Sequence, residues 1–246
     1  MSVRVRPPAP RKNLNLMTSI SDNLVDIRKR IANSALRTGR DPEDIKLIAV
    51  TKTVSIENIR EAIAAGLRVF GENRVQEAKD KILNLKSQAS DLNIEWHLIG
   101  HLQRNKARIA VQLFHLIHSL DSVDLAEELN KHAEKISKVQ DVLVEVKLSH
   151  EDTKHGVLKE ELTESLKAVA KMENLNLRGL MTIPPFFDNP EHARPYFREL
   201  IKLRDRAEVM GFNLPELSMG MSSDFETAIE EGATMVRIGT AIFGER

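Results

Sequence analysis

The segment IKLIAVTKTVSIENIREAIAAGLRVF, residues 45–70, contains one complete strand–helix–strand unit. Ile45–Val50 is a continuous apolar run with the length of a buried strand. Ser55 can accept a backbone hydrogen bond at the start of the next helix, and Gly66 can end that helix. Leu67–Phe70 then forms a second short strand. Because a helix that joins two such strands makes a right-handed parallel unit, this segment predicts a parallel α/β sheet.

The alternation of strands and helices continues along the chain and gives eight predicted strands. Eight units in ~225 residues fit a closed barrel better than an open sheet, so we predict a single (β/α)8 TIM barrel. No G-x-G-x-x-G follows the first strand, which argues against a dinucleotide fold. The remaining strands are predicted at Ile94–Gly100, Phe114–Leu120, Asp141–Leu148, Asn176–Ile183, Pro215–Gly220 and Thr234–Gly239.

Several helix boundaries can be predicted from capping residues and glycines. An extra N-terminal helix should begin at Thr18 or Ser19, because apolar residues recur behind them at helical spacing, at Ile20, Leu24, Ile27 and Ile31. Gly71 is expected to open the helix after the second strand. Ser222 is expected to cap the helix after the seventh strand.

Charge and composition exclude several classes of function. The 246 residues include 36 Lys and Arg against 36 Asp and Glu, and this neutral balance argues against nucleic-acid binding. The absence of cysteine excludes disulfides, thiolate metal sites and a cysteine nucleophile. No apolar run approaches the ~18 residues that cross a bilayer, so we expect a cytoplasmic protein without a membrane anchor.

The first sixteen residues, MSVRVRPPAPRKNLNL, differ from the rest of the chain. They are basic, rich in proline and free of acidic residues, and they lack the apolar core of a secretory signal. We expect residues 1–16 to be a disordered extension, with the functional start at Met17. The domain is then a single unit over residues 17–246.

Two loops predict a phosphate-binding pocket at the carboxyl ends of the strands. SMGMS (218–222) follows the seventh strand and RIGT (237–240) follows the eighth, and barrels often bind phosphate between these two loops. Either loop alone also has the composition of an ordinary turn and helix cap. Their paired position is what favours a phosphate site, where backbone N–H groups can meet an anion.

Lys52 ends the first strand on the same rim. A partly desolvated lysine there can form a Schiff base, although polar residues also commonly mark the end of a strand. A Schiff-base lysine opposite a phosphate pocket is the layout that a pyridoxal phosphate site needs.

Seven ordered motifs strengthen this interpretation. AVTK (49–52), FGENRVQE (70–77), WHLIGHLQRNK (96–106), KHG (154–156), GLMTI (179–183), LSMGMSSD (217–224) and VRIGTAIFG (236–244) resemble the pyridoxal phosphate homeostasis protein family, which is related to the N-terminal domain of alanine racemase. The resemblance implies a barrel of pyridoxal-enzyme fold type III, with the cofactor held on Lys52. It implies phosphate contacts from Ser218, Ser222, Gly239 and Thr240, with Arg237 near the pyridine nitrogen and Asn73 near the ring.

Arg237 bears on whether the site is catalytic. A guanidinium cannot accept a proton, so it would leave the pyridine nitrogen unprotonated and the ring a poor electron sink. A racemase also needs a second base, and the only tyrosine, Tyr196, lies away from the predicted rim. Two positions depart from the family pattern: Arg74 stands where a tyrosine is expected, and Lys147 where an asparagine is expected.

We therefore expect a monomeric, non-catalytic protein that stores, buffers or delivers pyridoxal phosphate and so affects amino-acid and keto-acid balance. Its partners would be the cofactor and pyridoxal-dependent apo-enzymes. The alternatives are a small racemase or related carbanion enzyme that uses His101 or Lys154, and a metal-dependent hydrolase. No H-E-x-x-H is present, and we expect no metal site.

Overall fold

Eight parallel strands close into a barrel in the computed structural model, which describes residues 19–86, 93–149, 151 and 155–245. Barrel strands that are consecutive along the chain pair with each other, and pairing between the first and the last barrel strand closes the ring. The strands are β1 Lys46–Val50, β2 Val69–Glu72, β3 Glu95–Leu98, β4 Leu116–Leu120, β5 Gln140–Lys147, β6 Val157–Leu158, β7 Leu175–Met181, β8 Glu216–Met221 and β9 Met235–Ile238. Only β6 lies outside the ring, paired with β5.

Helices surround the barrel and follow the strands in alternation. They are α1 Ile20–Arg37, α2 Ile56–Ala64, α3 Val75–Lys86, α4 Ala107–Leu113, α5 Val123–Glu134, α6 Leu162–Val169, α7 Arg194–Val209, α8 Phe225–Glu230 and α9 Thr240–Phe243. The predicted (β/α)8 barrel is therefore confirmed. None of these helices, in the ranges that the structure describes, is long and apolar enough to span a bilayer.

The extra N-terminal helix is present and covers the last unit of the barrel. Ser19 caps α1 and forms a reciprocal capping box with Asp22. The helix packs on α8 and α9, and Arg30 makes a two-pronged ion pair with Glu226, at 3.2 and 2.9 Å. The predicted extension 1–16 and the predicted start at Met17 lie outside the described residues.

Two cores stabilise the barrel. The larger core fills the space between the strands and the surrounding helices, and includes Phe70, Phe114, Phe197 and Phe225. The smaller core occupies the barrel interior and consists of Ile48, Leu116, Leu143, Met181 and Met235. Alternate residues of each strand thus face two different apolar environments, which explains why the strands read as continuous apolar runs.

Two predicted helix starts are wrong. Gly71 and Glu72 belong to β2, and the following helix begins only at Val75. Gly71 fits a strand interior because a Cβ at this position would lie 2.9 Å from Ile48 Cγ2. Ser222 does not cap α8, whose N-cap is Asp224. The short strand β6 was not predicted, because two residues carry no periodicity.

Candidate functional site

A cavity of about 540 Å³ opens at the carboxyl ends of the barrel strands. Its lining combines one lysine, one arginine, small hydroxyl residues and apolar side chains. The residues that line it are Val50, Lys52, Asn73, Ile99, Ile183, Phe186, Met221, Ser222, Ser223, Arg237, Gly239, Thr240 and Ala241. Six of the seven residues predicted to hold a cofactor therefore lie around one cavity, and the exception is Ser218.

Lys52 lies directly after β1, in a turn with an unusual backbone. Its neighbour Thr51 is fully buried, and the next residue, Thr53, has a φ of 60°. A left-handed conformation costs a β-branched residue about 1–2 kcal/mol, so the surrounding structure must hold this turn in place.

Two carboxylates brace the turn on either side of Lys52. Thr51 Oγ1 donates to Glu72 Oε1 at 2.6 Å, and the Thr53 N–H donates to Glu77 Oε1 at 2.6 Å. The ammonium of Lys81 joins the two carboxylates, at 2.8 Å from Glu72 and 2.6 Å from Glu77, and also donates to the Thr51 carbonyl. Burial raises the pKa of Glu72, while the hydrogen bonds from Lys81 and Thr51 act against that increase.

Backbone N–H groups and hydroxyls converge after β9, the strand that pairs with β1. They therefore follow the strand next to the one that carries Lys52, and not a strand opposite to it as predicted. The N–H groups of Gly239 and Ala241 both donate to Ser222 Oγ, at 3.3 and 3.4 Å. Thr240 lies between them and also lines the cavity. Two amides directed at one oxygen form the kind of concave donor site that accepts an oxyanion.

The acidic residues near this donor site point away from the cavity. Asp224 Oδ1 accepts the Met221 N–H at 2.6 Å, and Glu226 is paired with Arg30 on α1. Neither carboxylate lines the cavity, so neither opposes an anion there.

Arg237 places a buried cation at the base of the cavity. Its side chain is on β9, is 3% exposed, and donates through Nη1 to Ser218 Oγ at 2.6 Å and through Nη2 to the Thr182 carbonyl at 2.9 Å. Burial lowers the pKa of Arg237 to about 10, so the guanidinium is still protonated at neutral pH. Arg237 thus lines the same cavity as Lys52, and its place near a pyridine nitrogen stays a prediction.

Ser218 is placed elsewhere than predicted. Because β8 extends to Met221, Ser218 lies inside the strand with no exposed surface, and it does not line the cavity. Its hydroxyl contacts Arg237 and His118 instead. This geometry does not support a direct phosphate contact from Ser218.

Asn73 follows β2 and has an unpaired side-chain oxygen. Its Oδ1 is buried without a hydrogen-bond partner. Gly100 packs tightly against its backbone, where a Cβ would lie 2.5 Å from the Asn73 carbonyl oxygen. A buried acceptor at the edge of a cavity is available to a ligand that donates a hydrogen bond.

The comparison with known proteins agrees with this geometry. The family described as alanine racemase, N-terminal domain, matches residues 23–246. A protein of Aquifex aeolicus (strain VF5) named pyridoxal phosphate homeostasis protein is 50% identical over 226 residues, which are 92% of this chain and 97% of that protein. This chain belongs to the pyridoxal phosphate homeostasis protein family. The predicted resemblance is confirmed.

Solved structures place the fold in the same family. PipY of Synechococcus elongatus PCC7942, a structure with pyridoxal phosphate bound, has a TM-score of 0.78 and 39% identity, and the match covers 89% of this chain and all of that one. Alanine racemase of Clostridium difficile 630 has a TM-score of 0.71 at 18% identity, with 92% of this chain matching 57% of the racemase. At that identity the racemase shows the shared barrel alone.

The two departures from the family pattern lie beside the cavity without lining it. Arg74 lines a neighbouring surface hollow with Gln103 and Lys106. Lys147, at the end of β5, lines a second hollow of about 220 Å³ that shares Asn73 with the main cavity. An effect of Arg74 on the contacts around Asn73, and of Lys147 on the packing beside a cofactor ring, stays a prediction.

His101, the histidine considered as a catalytic group, meets His155 at that second hollow. The rings of His101 and His155 stack at 3.7 Å with an angle of 11°, and His101 Nδ1 lies 3.0 Å from Asp121 Oδ2. A metal ion lies close to the plane of each imidazole that binds it, and two parallel ring planes do not share one ion. The expected absence of a metal stays a prediction, and Lys154 lies outside the described residues.

Several lining residues were not predicted, and most of them are apolar. Four apolar residues of the lining follow or end a barrel strand: Ile99, Ile183, Phe186 and Met221. At these strand ends, only polar residues and glycines were predicted to contact a ligand. Phe186 is 73% exposed and still lines the cavity. An exposed aromatic residue just beyond a strand end was the available signal.

Proposed function

We propose that this protein binds pyridoxal 5'-phosphate and serves in its homeostasis, buffering or delivering the cofactor and so affecting amino-acid and keto-acid balance. The observation that carries the proposal is the shared cavity of Lys52, Arg237 and the donor site formed by Ser222, Gly239 and Thr240. Relatives of this chain are named for the same homeostasis role, and PipY binds the cofactor.

The residues of the cavity fit the chemical groups of the cofactor. Its volume of about 540 Å³ is within the range of roughly 300–1,000 Å³ usual for small-molecule sites. Two amides already converge on an oxygen atom, Ser222 Oγ, and a phosphate oxygen is an acceptor of the same kind. Ser222, Gly239 and Thr240 would hold the phosphate, and Lys52 would supply the amine.

Arg237 would determine what the bound cofactor can do. When bound, pyridoxal phosphate supplies an aldehyde that reacts with primary amines and a ring that can accept electrons. The Arg237 guanidinium stays protonated at neutral pH and has no lone pair to give, so a ring nitrogen facing it would receive a hydrogen bond and no proton. This arrangement favours holding the cofactor over withdrawing electrons through its ring.

The cavity also lacks a second group for proton transfer. Among the described lining residues, no side chain carries a carboxylate or an imidazole, and Tyr196 is on α7, near Phe187 and outside the cavity. We infer a non-enzymatic role. The alternative, a racemase or other carbanion enzyme, would use a residue outside this lining, such as His101 from the second hollow or Lys154, which lies outside the described residues. Loss of an α-deuterium from an amino acid, abolished in Lys52→Ala, would establish that alternative.

The recipients, the oligomeric state and the location belong to this proposal. The Lys52 side chain is exposed, which supports access by an acceptor amine from another protein, and we propose pyridoxal-dependent apo-enzymes as recipients. We also propose a cytoplasmic monomer. Recovery of activity by a purified apo-enzyme mixed with the loaded protein tests delivery, and sedimentation velocity tests the monomer.

Equilibrium titration with pyridoxal phosphate tests binding and assigns the two halves of the site. Lys52→Ala removes the amine, and Ser222→Ala removes the hydroxyl of the donor site. Both variants are expected to bind the cofactor more weakly than the parent protein. Lys79→Ala is the matched control, because Lys79 is an exposed lysine on α3 that does not line the cavity. Equal affinity in all four proteins would contradict the proposed site.

A further inference from the structure

A series of polar side chains crosses the interior of the barrel between its two mouths. Arg237 lines the cofactor cavity at one mouth, whereas Glu95 and His97 line a separate cavity at the opposite mouth. Ser218 and His118 lie between them, both without exposed surface. The rest of the interior is the small apolar core, so these groups have few other partners.

Each member of the series contacts the next. Arg237 Nη1 donates to Ser218 Oγ at 2.6 Å, and Ser218 Oγ lies 2.9 Å from His118 Nδ1. His118 Nε2 lies 3.0 Å from His97 Nδ1, and His97 Nε2 lies 3.4 Å from Glu95 Oε2. The five residues belong to four different strands, β3, β4, β8 and β9, which is why no local sequence pattern reveals the series.

The chemistry of the two ends fixes the direction of every hydrogen bond. Arg237 can only donate. Glu95 is ionised at neutral pH and can only accept, because His97, together with the charge of Lys46, lowers its pKa to about 2. Ser218 therefore accepts from Arg237 and gives its own proton to His118 Nδ1. His118 donates from Nε2 to His97 Nδ1, and His97 donates from Nε2 to Glu95.

This direction requires both imidazoles to be neutral with the proton on Nε2. The opposite tautomers would turn the His97 Nε2 lone pair toward the Glu95 carboxylate and leave the Ser218 proton without an acceptor. Burial is the main cause that lowers the pKa of both histidines, and the Arg237 charge further lowers that of His118. The charged and titratable groups that face the two rings are Glu95, Lys46, His115 and Arg237.

We propose that Ser218, His118, His97 and Glu95 are positioning residues that hold the Arg237 guanidinium in a fixed orientation toward the cofactor. Ser218 occupies Nη1 and the Thr182 carbonyl occupies Nη2, so the other guanidinium hydrogens are left for the cavity. The directed series keeps Ser218 an acceptor for Arg237. The effect of this series on the cofactor rests on the proposed function. The hydrogen bonds themselves exist in the protein without cofactor.

Nitrogen NMR of the cofactor-free protein tests the series directly. Two-bond ¹H–¹⁵N spectra report which ring nitrogen of each histidine carries the proton. We expect His97 and His118 to show a protonated Nε2 and an unprotonated Nδ1 at neutral pH, and Ser218→Ala to shift the His118 Nδ1 signal. A proton on Nδ1 of either ring, or a doubly protonated ring, would overturn the proposed direction.

Cofactor titration tests the consequence for Arg237. Ser218→Ala removes a hydrogen bond to the charged Arg237 side chain, so it should weaken pyridoxal phosphate binding roughly tenfold. It should also shift the absorption band of the bound cofactor. Ser119→Ala is the matched control, because Ser119 is also a buried, hydrogen-bonded serine but donates to the Gly100 carbonyl, outside the series. The control should bind like the parent protein.

The outcomes separate the two proposals. Equal affinity and an equal absorption band in Ser218→Ala and Ser119→Ala would overturn the positioning role. His118→Asn tests the same role a second time, and its affinity for pyridoxal phosphate should also be lower than that of the parent protein. No binding by the parent protein would overturn the proposed function, while the NMR result would still confirm or reject the series.

Discussion

Replacing Lys81 by methionine is expected to destabilise the fold through the turn that carries Lys52. Lys81 is 7% exposed, and its ammonium contacts the carboxylates of Glu72 and Glu77 and the carbonyl of Thr51. Methionine keeps most of the length and apolar surface of the side chain but removes the charge and all three donors. The variant therefore isolates the polar contribution of Lys81.

The size of the effect follows from what the substitution leaves behind. Glu72 is fully buried, and its Oε2 already has no partner, so the loss of Lys81 leaves a buried carboxylate with only the Thr51 hydroxyl. Removing one partner of a buried ion pair costs about 3–5 kcal/mol. For a chain of this size each kcal/mol lowers Tm by roughly 2–4 °C, so we expect a decrease of roughly 6–20 °C.

Urea denaturation measures this prediction, with two further variants. Lys79→Met is the matched control, since Lys79 is an exposed lysine on the same helix and should change the free energy of unfolding by less than about 0.5 kcal/mol. Adding Glu72→Gln to Lys81→Met should recover part of the loss, because it removes the unpaired charge. A loss below about 1 kcal/mol in Lys81→Met, or no recovery in the double variant, would refute the reasoning.

Three further predictions concern other parts of the structure. Because burial lowers the pKa of His118 below its ordinary 6.5, its contribution to stability is present above pH 6.5 and lost below it, so Tm should fall on acidification and fall less in His118→Asn. Gly179→Ala would place a Cβ 1.9 Å from the Glu216 carbonyl oxygen, and should lower Tm or abolish soluble expression. Arg30→Ala breaks the half-exposed pair with Glu226 and should cost about 1 kcal/mol by urea denaturation.

The barrel could be predicted because its signal is local. Each strand is a short apolar run, and each helix has apolar residues at its own spacing with a cap or glycine at its ends. The second strand was misplaced because Glu72 looks like a loop residue. The burial of Glu72 depends on Lys81, which is nine positions away on the next helix. The local pattern of apolar residues does not identify that partner.

The site could be predicted in outline for the same reason. Lys52, Arg237 and Gly239 follow or end strands, and the carboxyl ends of barrel strands meet at one mouth. Ser218 was assigned to the phosphate because SMGMS was interpreted as one binding loop and because the family resemblance implied that contact. The hydrogen bond between His97 and His118 could not be predicted, because it joins side chains of two different strands, β3 and β4.

Borohydride reduction of the protein loaded with pyridoxal phosphate, followed by peptide mapping, tests the central claim most directly. Reduction fixes the cofactor to the amine that holds it. The account predicts one labelled peptide, which contains Lys52, and loss of that label in Lys52→Ala but not in Lys46→Ala. A label on another lysine, or no label on the parent protein, would contradict the claim that Lys52 anchors the cofactor.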